Sequence, residues 1–223
     1  MDNIGRLSVT EILGRMYPFD PTFFEQALSA EWIEKKRDKG LIVPGSIADR
    51  ANELRAKDVS YMLTTLGTEV HRCAFMLGTF GYCHPHEGSI VEPFVRWLKM
   101  FFEETGAVAL EAEIYLENEE YFGTTDGVYA FQHEGETVVG LVDWKTWKAY
   151  KYIYGILEDT VKPMKASSSD IKKTGLQLSM YRNLLGQIDR QFVIWVKPDG
   201  YEVIETKYDL HPYEVWKKGL LLK

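Results

Sequence analysis

Asp143-Trp144-Lys145 closes an apolar run that begins at Leu141-Val142, and Asp126 stands seventeen residues ahead of it. Side chains alternate along a strand, so Asp143 and Lys145 share one face and Trp144 takes the other. A carboxylate and an ammonium converging beside a second carboxylate make a site for a hard divalent cation and a water. That equipment suits metal-assisted hydrolysis of a phosphodiester. Each residue also has a plainer reading. Asp143 reads as a solvated strand end, Asp126 as a turn residue between Gly123 and Gly127, and Lys145 as a surface lysine paired to a neighbouring acid. The apolar approach to Asp143 and the two-residue step to Lys145 favour the chemical reading.

These residues need a strand–turn–strand unit to bring them together, and the middle of the chain has the right period. Val108 to Leu116 and Val128 to Phe131 alternate, and Thr137 to Lys145 is a third strand-like run, with turns expected at Gly123–Asp126 and His133–Glu136. Before them the chain reads as helical. Ser8 to Leu13 opens with hydroxyl residues suited to capping a short helix, and Pro21 to Lys39 carries Phe23, Phe24, Ala27, Leu28 and Trp32 on one side. Gly40, Pro44 and Gly45 end that helix. A long pattern follows from Ser46 to Leu77, interrupted near Asp58, then a loop from Gly78 to Gly88. Ile90 to Glu104 is helical and stops before Gly106. After the strands come a long aromatic and lysine-rich connection (Trp147–Lys173) and a helix over Leu176–Leu185. Two strands follow around Pro198-Asp199-Gly200, then a short helix from Tyr213 to Leu221. The expected fold is α/β: a helical part over 1–106 and a mixed α/β core over 107–223, together one domain.

The chain has 223 residues, 45% apolar and 13% aromatic, which is ample for a packed core and argues against disorder. No apolar run approaches a membrane span, and Met1 to Arg6 lacks the order of a signal peptide. With only Cys73 and Cys83, no disulfide framework is expected, and a cytoplasmic, reducing location follows. Net charge is −7, which by itself disfavours nucleic acid as a partner. Its distribution tells a different story. Met100 to Trp144 holds eleven acids and no lysine or arginine, whereas Lys145 to Gly175 holds seven lysines against three acids. A basic strip beside an acidic pocket suits a phosphate backbone; an unevenly charged solvated surface is the alternative.

Several short motifs fall in one order: Gly67-x-x-x-His71, Glu113 ahead of Gly123-x-x-Asp126, Asp143-x-Lys145, and Gln177-x-x-x-Tyr181. In this order the chain resembles the RecB-like exonuclease branch of the PD-(D/E)XK nuclease superfamily. Ser8 to Leu13 and Trp32 to Lys36 are similar to bacteriophage exonucleases of that branch and to the mitochondrial genome-maintenance exonuclease. The likeness spans roughly residues 8 to 205. It implies a restriction-endonuclease-like core and a metal-dependent exonuclease acting on single-stranded DNA or DNA ends, with proteins of replication or recombination as partners. A phage-encoded protein in a host cytoplasm would fit it. A structure-specific or CRISPR-adaptation-type nuclease, or an idle nucleic-acid-binding scaffold, is the alternative.

The resemblance also implies roles. Asp126 and Asp143 bind Mg²⁺ or Mn²⁺, and Glu113 completes the metal shell, with Glu111 on the same strand face competing for that place. His71 adds a nitrogen ligand or a substrate contact. Lys145 orients and helps deprotonate the attacking water and stabilises charge on the phosphate. Gln177 and Tyr181, one helical turn apart, support the lysine and touch the DNA backbone, although Tyr181 reads equally well as core. Relatives with an iron–sulfur cluster need four cysteines, so no cluster is expected here. Two further patterns stand outside the motifs. Cys83-His84-Pro85-His86-Glu87 lacks a second ligand pair at zinc spacing and reads as a loop ahead of a helix. Trp147, Tyr150, Tyr152 and Tyr154, alternating with Lys148 and Lys151, suit stacking of single-stranded bases or packing on the domain.

Overall fold

A computed structural model of the chain describes residues 6–18, 30–40, 56–84, 91–149 and 165–221, the side chains of 30, 32, 36 and 56–63 excepted. The expected helix start at Pro21, the pattern from Ser46 to Arg55, Pro85-His86-Glu87, and Tyr150 to Tyr154 lie outside them.

A two-residue strand, β1 (Leu7–Ser8), leads into helix α1 (Val9–Met16). Ser8 Oγ accepts the Glu11 N–H at 3.1 Å and the Glu11 carboxylate accepts the Ser8 N–H at 2.8 Å, a capping box that fixes where the helix begins. Helix α2 (Ala30–Asp38) precedes α3 (Ala56–Phe80). Contrary to expectation, α3 continues past Gly78; it begins two residues before Asp58, where the expected interruption borders residues outside the described ones. Gly78 is a packing residue, not a breaker: a Cβ there would lie 2.7 Å from the Tyr129 ring and 3.1 Å from Ala109, so only glycine lets the helix lie this close to the sheet. The helix stops at Gly81, whose φ of +76° is left-handed and whose N–H donates to the Leu77 carbonyl. That turn folds Cys83 back onto α3, where it is bonded to Cys73 with Cα atoms 5.4 Å apart. The expectation of no disulfide is thereby corrected: ten residues of separation hid a pairing that the turn creates. Helix α4 (Glu92–Thr105) ends on left-handed Gly106.

Strands β2 (Val108–Glu117), β3 (Tyr121–His133) and β4 (Glu136–Lys145) form an antiparallel meander. Helix α5 (Ser168–Leu185) crosses to β5 (Gln191–Lys197), which runs parallel to β4. Pro198-Asp199 then turns the chain into antiparallel β6 (Gly200–Glu205), and α6 (His211–Leu221) follows. The result is a mixed six-stranded sheet flanked by helices, an α/β architecture. On one face α3 and α4 bury Leu66, Val70, Phe94, Leu98 and Phe101 against Tyr129, Phe131, Trp144 and Ile194. On the other, α1 and α5 bury Val9, Ile12 and Leu178 against Tyr121, Leu141 and Val193. Among the described residues no helix is long and apolar enough to cross a membrane.

The turn expected at Gly123–Asp126 is not a turn. These residues lie inside β3, and the chain reverses earlier, where Asn118 Oδ1 accepts the backbone N–H groups of Glu120 and Tyr121 at 2.8 and 2.9 Å. The glycines that suggested a turn serve close approach instead. A Cβ on Gly123 would meet the Tyr181 hydroxyl at 2.8 Å, and one on Gly127 would meet the Glu111 carbonyl at 2.4 Å. Gly127 also has φ +145°, and Glu113, opposite Asp126 in the β2–β3 register, has φ +53°. Here the strand turns over. Tyr121 packs on the α5 side of the sheet, whereas Tyr129, of the same parity, packs on the α3 side.

Candidate active site

The reversal at Gly127 decides where the Asp126 carboxylate goes. Ahead of it, even-numbered side chains of β3 face α3, and α3 presents Gly67, His71, Ala74 and Gly78 along one side, at helical spacing. At the far end of that row Gly78 brings the helix onto the sheet, while Gly67 leaves room and His71 reaches Asp126. His71 Nδ1 lies 3.0 Å from Asp126 Oδ1. The other oxygen, Oδ2, accepts the Trp144 backbone N–H at 2.8 Å. The β3–β4 ladder ends at Gly127 and Val142, so the side chain of Asp126 takes the amide that the next backbone carbonyl would have taken. The two strands part at this point, and the opening between them is the site.

Trp144 anchors the other wall. Its ring is 1% exposed and meets Phe101, Phe102 and Tyr129 at centroid distances of 5.4–5.6 Å. With Trp144 driven into the α3–α4 core, alternation turns Asp143 and Lys145 the other way, as expected, and Lys145 Nζ lies 2.6 Å from Asp143 Oδ2. Asp143 is buried and Lys145 retains some exposure. Glu113, not Glu111, reaches the cleft, because its left-handed backbone redirects the side chain. A non-glycine residue held there costs about 1–3 kcal/mol, and such strain concentrates at functional sites. Gln177 stands beside the Tyr181 hydroxyl behind this wall and eases the upward push that burial gives it. Tyr181 is 2% exposed and packs over Gly123, so it supports the strand and is not open to a ligand.

The charges are coupled. Burial pushes the Asp143 carboxyl up to about 6, aided by Asp126 and opposed by Lys145. Burial acts on Asp126 in the same sense, but its bond to His71, with Lys145 and the Trp144 amide, holds it below the usual carboxylate range. Burial would lower His71, and the Asp126 bond more than reverses that. Lys145 is raised against its own burial by Asp143 and Asp126, so it is an ammonium at neutral pH. Burial and Asp126 raise Glu113.

A cleft of ≈ 540 Å³ opens beside His71, Asp126 and Glu113, lined also by Gly67, Thr68, Arg72 and Phe75; Asp143 and Lys145 lie behind it and do not line it. Sequence reasoning missed Thr68, Arg72 and Phe75; their signal was helical spacing from Gly67 and His71. Conversely, Trp147 is engaged in packing, its ring 6.0 Å from that of Trp195 and its carbonyl accepting the Trp195 indole N–H at 3.0 Å. Among the described residues no three His, Cys, Asp or Glu side chains are closed up as a metal site. The donor chemistry nonetheless fits a hard divalent cation: carboxylate oxygens of Asp126, Asp143 and Glu113 with an imidazole nitrogen. In this structure Asp126 pairs with His71 and Asp143 with Lys145.

No family model and no curated protein matches the chain. Among solved structures it is similar to one described as "Crystal structure of SSO0001". The two are 11% identical over 90% of this chain and 89% of that one, with a TM-score of 0.30, too loose an overlap to carry an argument.

Proposed function

We propose that this chain is a metal-dependent deoxyribonuclease with a PD-(D/E)XK core, an exonuclease that hydrolyses phosphodiester bonds in single-stranded DNA or at DNA ends. One observation carries the reading: the Asp143–Lys145 pair and the His71–Asp126 pair stand within electrostatic reach of each other where β3 and β4 part. Asp126, Asp143 and Glu113 would hold Mg²⁺ or Mn²⁺, with His71 beside them; such a cation supplies Lewis acidity toward the phosphate and acidifies a water. Lys145 is kept protonated, so its first role is to donate to a phosphate oxygen as negative charge develops, and its second is to orient the attacking water. Arg72 and Thr68 stand at the cleft rim where the flanking backbone would pass.

The test uses end-labelled linear and circular single strands with Mg²⁺, Mn²⁺ or EDTA. Metal-dependent shortening of linear DNA alone is the expected result, and Lys145→Ala should cut the rate at least ~10²-fold. Cutting of circles would move the reading to an endonuclease. The mutual pairing of the donor atoms favours one other reading, an idle scaffold that binds nucleic acid without cleaving it. Calorimetric titration with Mn²⁺ separates the two, since an idle scaffold has no use for the cation.

A further inference from the structure

Phe75 lines the cleft beside His71 and Arg72, and from it a row of rings leads away over the end of α3. Ring centroids are 6.1 Å apart from Phe75 to Phe80, 6.3 Å from Phe80 to Tyr82, and 6.0 Å from Tyr82 to His84. Phe80 and Tyr82 are 56% and 54% exposed, and His84 is exposed as well. Isolated surface aromatics are ordinary, but a contiguous row that starts inside a cleft holding His71, Glu113 and Asp126 is not. Successive rings after Phe80 are tilted by 42° and 46°, so they do not stack on one another and their faces stay open. The row is also held in place. Gly81 makes the left-handed turn between Phe80 and Tyr82, and the bond from Cys83 to Cys73 fastens the segment between Tyr82 and His84 to α3.

We infer that Phe75, Phe80, Tyr82 and His84 form a stacking track for the bases of a single nucleic-acid strand that enters the cleft at His71 and Asp126. Every base has an apolar π-face, and a row of aromatic rings binds such faces without regard to sequence. The rings touch edge to face or at a tilt, so no base inserts between them, and bases would lie on the outward faces of Phe80 and Tyr82. A duplex offers no free faces, so the track selects single strands or frayed ends. The occupant is identified by continuity, since Phe75 belongs both to the row and to the cleft; the Arg72 guanidinium on the same lining is held by Glu69 at 2.9 Å and would have to exchange that partner for a phosphate. The entry of a scissile phosphate at the far end rests on the cleavage reading above; the track itself does not.

The test combines binding and chemistry. Fluorescence anisotropy in EDTA follows a labelled oligothymidylate and an abasic strand of equal length. A p-nitrophenyl ester of thymidine 5′-phosphate, too short to reach Phe80, reports turnover with Mn²⁺. The double variant Phe80→Ala/Tyr82→Ala should bind oligothymidylate at least ~10-fold more weakly, while its affinity for the abasic strand and its rate on the ester stay at wild-type values. Phe80→Trp/Tyr82→Trp should restore binding. Equal affinity of wild type and double alanine variant for oligothymidylate would overturn the track, as would a parallel loss on the abasic strand, or a wild type that binds neither strand. If binding depends on the rings but the wild type leaves the ester intact, the track stands and the cleavage reading falls. Ester hydrolysis with ring-independent binding gives the reverse.

Discussion

Asp143 is the residue at which burial and charge oppose each other most directly, and its titration tests the site before any substrate is added. Its folded-state carboxyl is raised to about 6, and Glu113 and His71 are also raised, so the folded protein holds protons that the unfolded chain releases. The metal-free protein should therefore gain stability as pH falls from 8 to 5, on the order of a few kcal/mol in all. Melting curves in EDTA across that range measure it. A melting temperature that falls steadily toward pH 5 would contradict the assignment. Asp143→Asn mimics the protonated form, so it should melt higher than the wild type at pH 8 in EDTA and lose most of that pH dependence. The same variant should bind no Mn²⁺ by calorimetry.

Among the elements, α3 and β3 carry glycines whose roles differ although their sequence contexts look alike. A Cβ on Gly67 meets nothing closer than Thr146 at 3.9 Å, so Gly67→Ala should stabilise the protein by about 0.5–1 kcal/mol through helix propensity. Gly78→Ala drives a methyl into the Tyr129 ring and should cost about 1–3 kcal/mol. Gly127→Ala meets backbone at a φ that side chains avoid and should cost about 2–4 kcal/mol; under the proposed reading it should also abolish cleavage, because the strand reversal at Asp126 goes with it. Urea melts of the three variants rank them, and a destabilised Gly67→Ala would refute the packing described for α3. These glycines also mark the limit of what the sequence disclosed. Alternation placed Asp143, Trp144 and Lys145 correctly, because period and burial agree along β4. The Gly123–Asp126 segment misled because glycine beside aspartate is as typical of turns as of close packing, and only the Tyr181 ring and the Glu111 carbonyl decide between them. The His71–Asp126 contact was legible as two motifs but not as a bond, since it depends on the reversal at Gly127. Phe80 and Tyr82 fell in a stretch read as loop, where nothing distinguished exposed rings from buried ones.

For the molecule as a whole, a net charge of −7 sets the terms on which any polyanion can approach. Attraction must come from local cations such as Arg72 and Lys145, each already paired to an acid, against a repulsive background, so affinity for single strands should fall by no more than about 7-fold between 50 and 200 mM salt. Anisotropy at several salt concentrations gives the slope, and a flat line would mean that phosphates contribute nothing. The layered architecture confines these effects to one region. The opening between β3 and β4 has α3 on one side of the sheet and the buried Gln177–Tyr181 stretch of α5 on the other, so α5 acts on the opening through the strands alone. Within that opening the Trp144 amide is tied to a carboxylate and not to a neighbouring strand. Hydrogen–deuterium exchange at this one amide should thus report the site. It should be slow while Asp126 accepts the proton, fast in Asp126→Ala, and altered whenever a bound cation draws the carboxylate away.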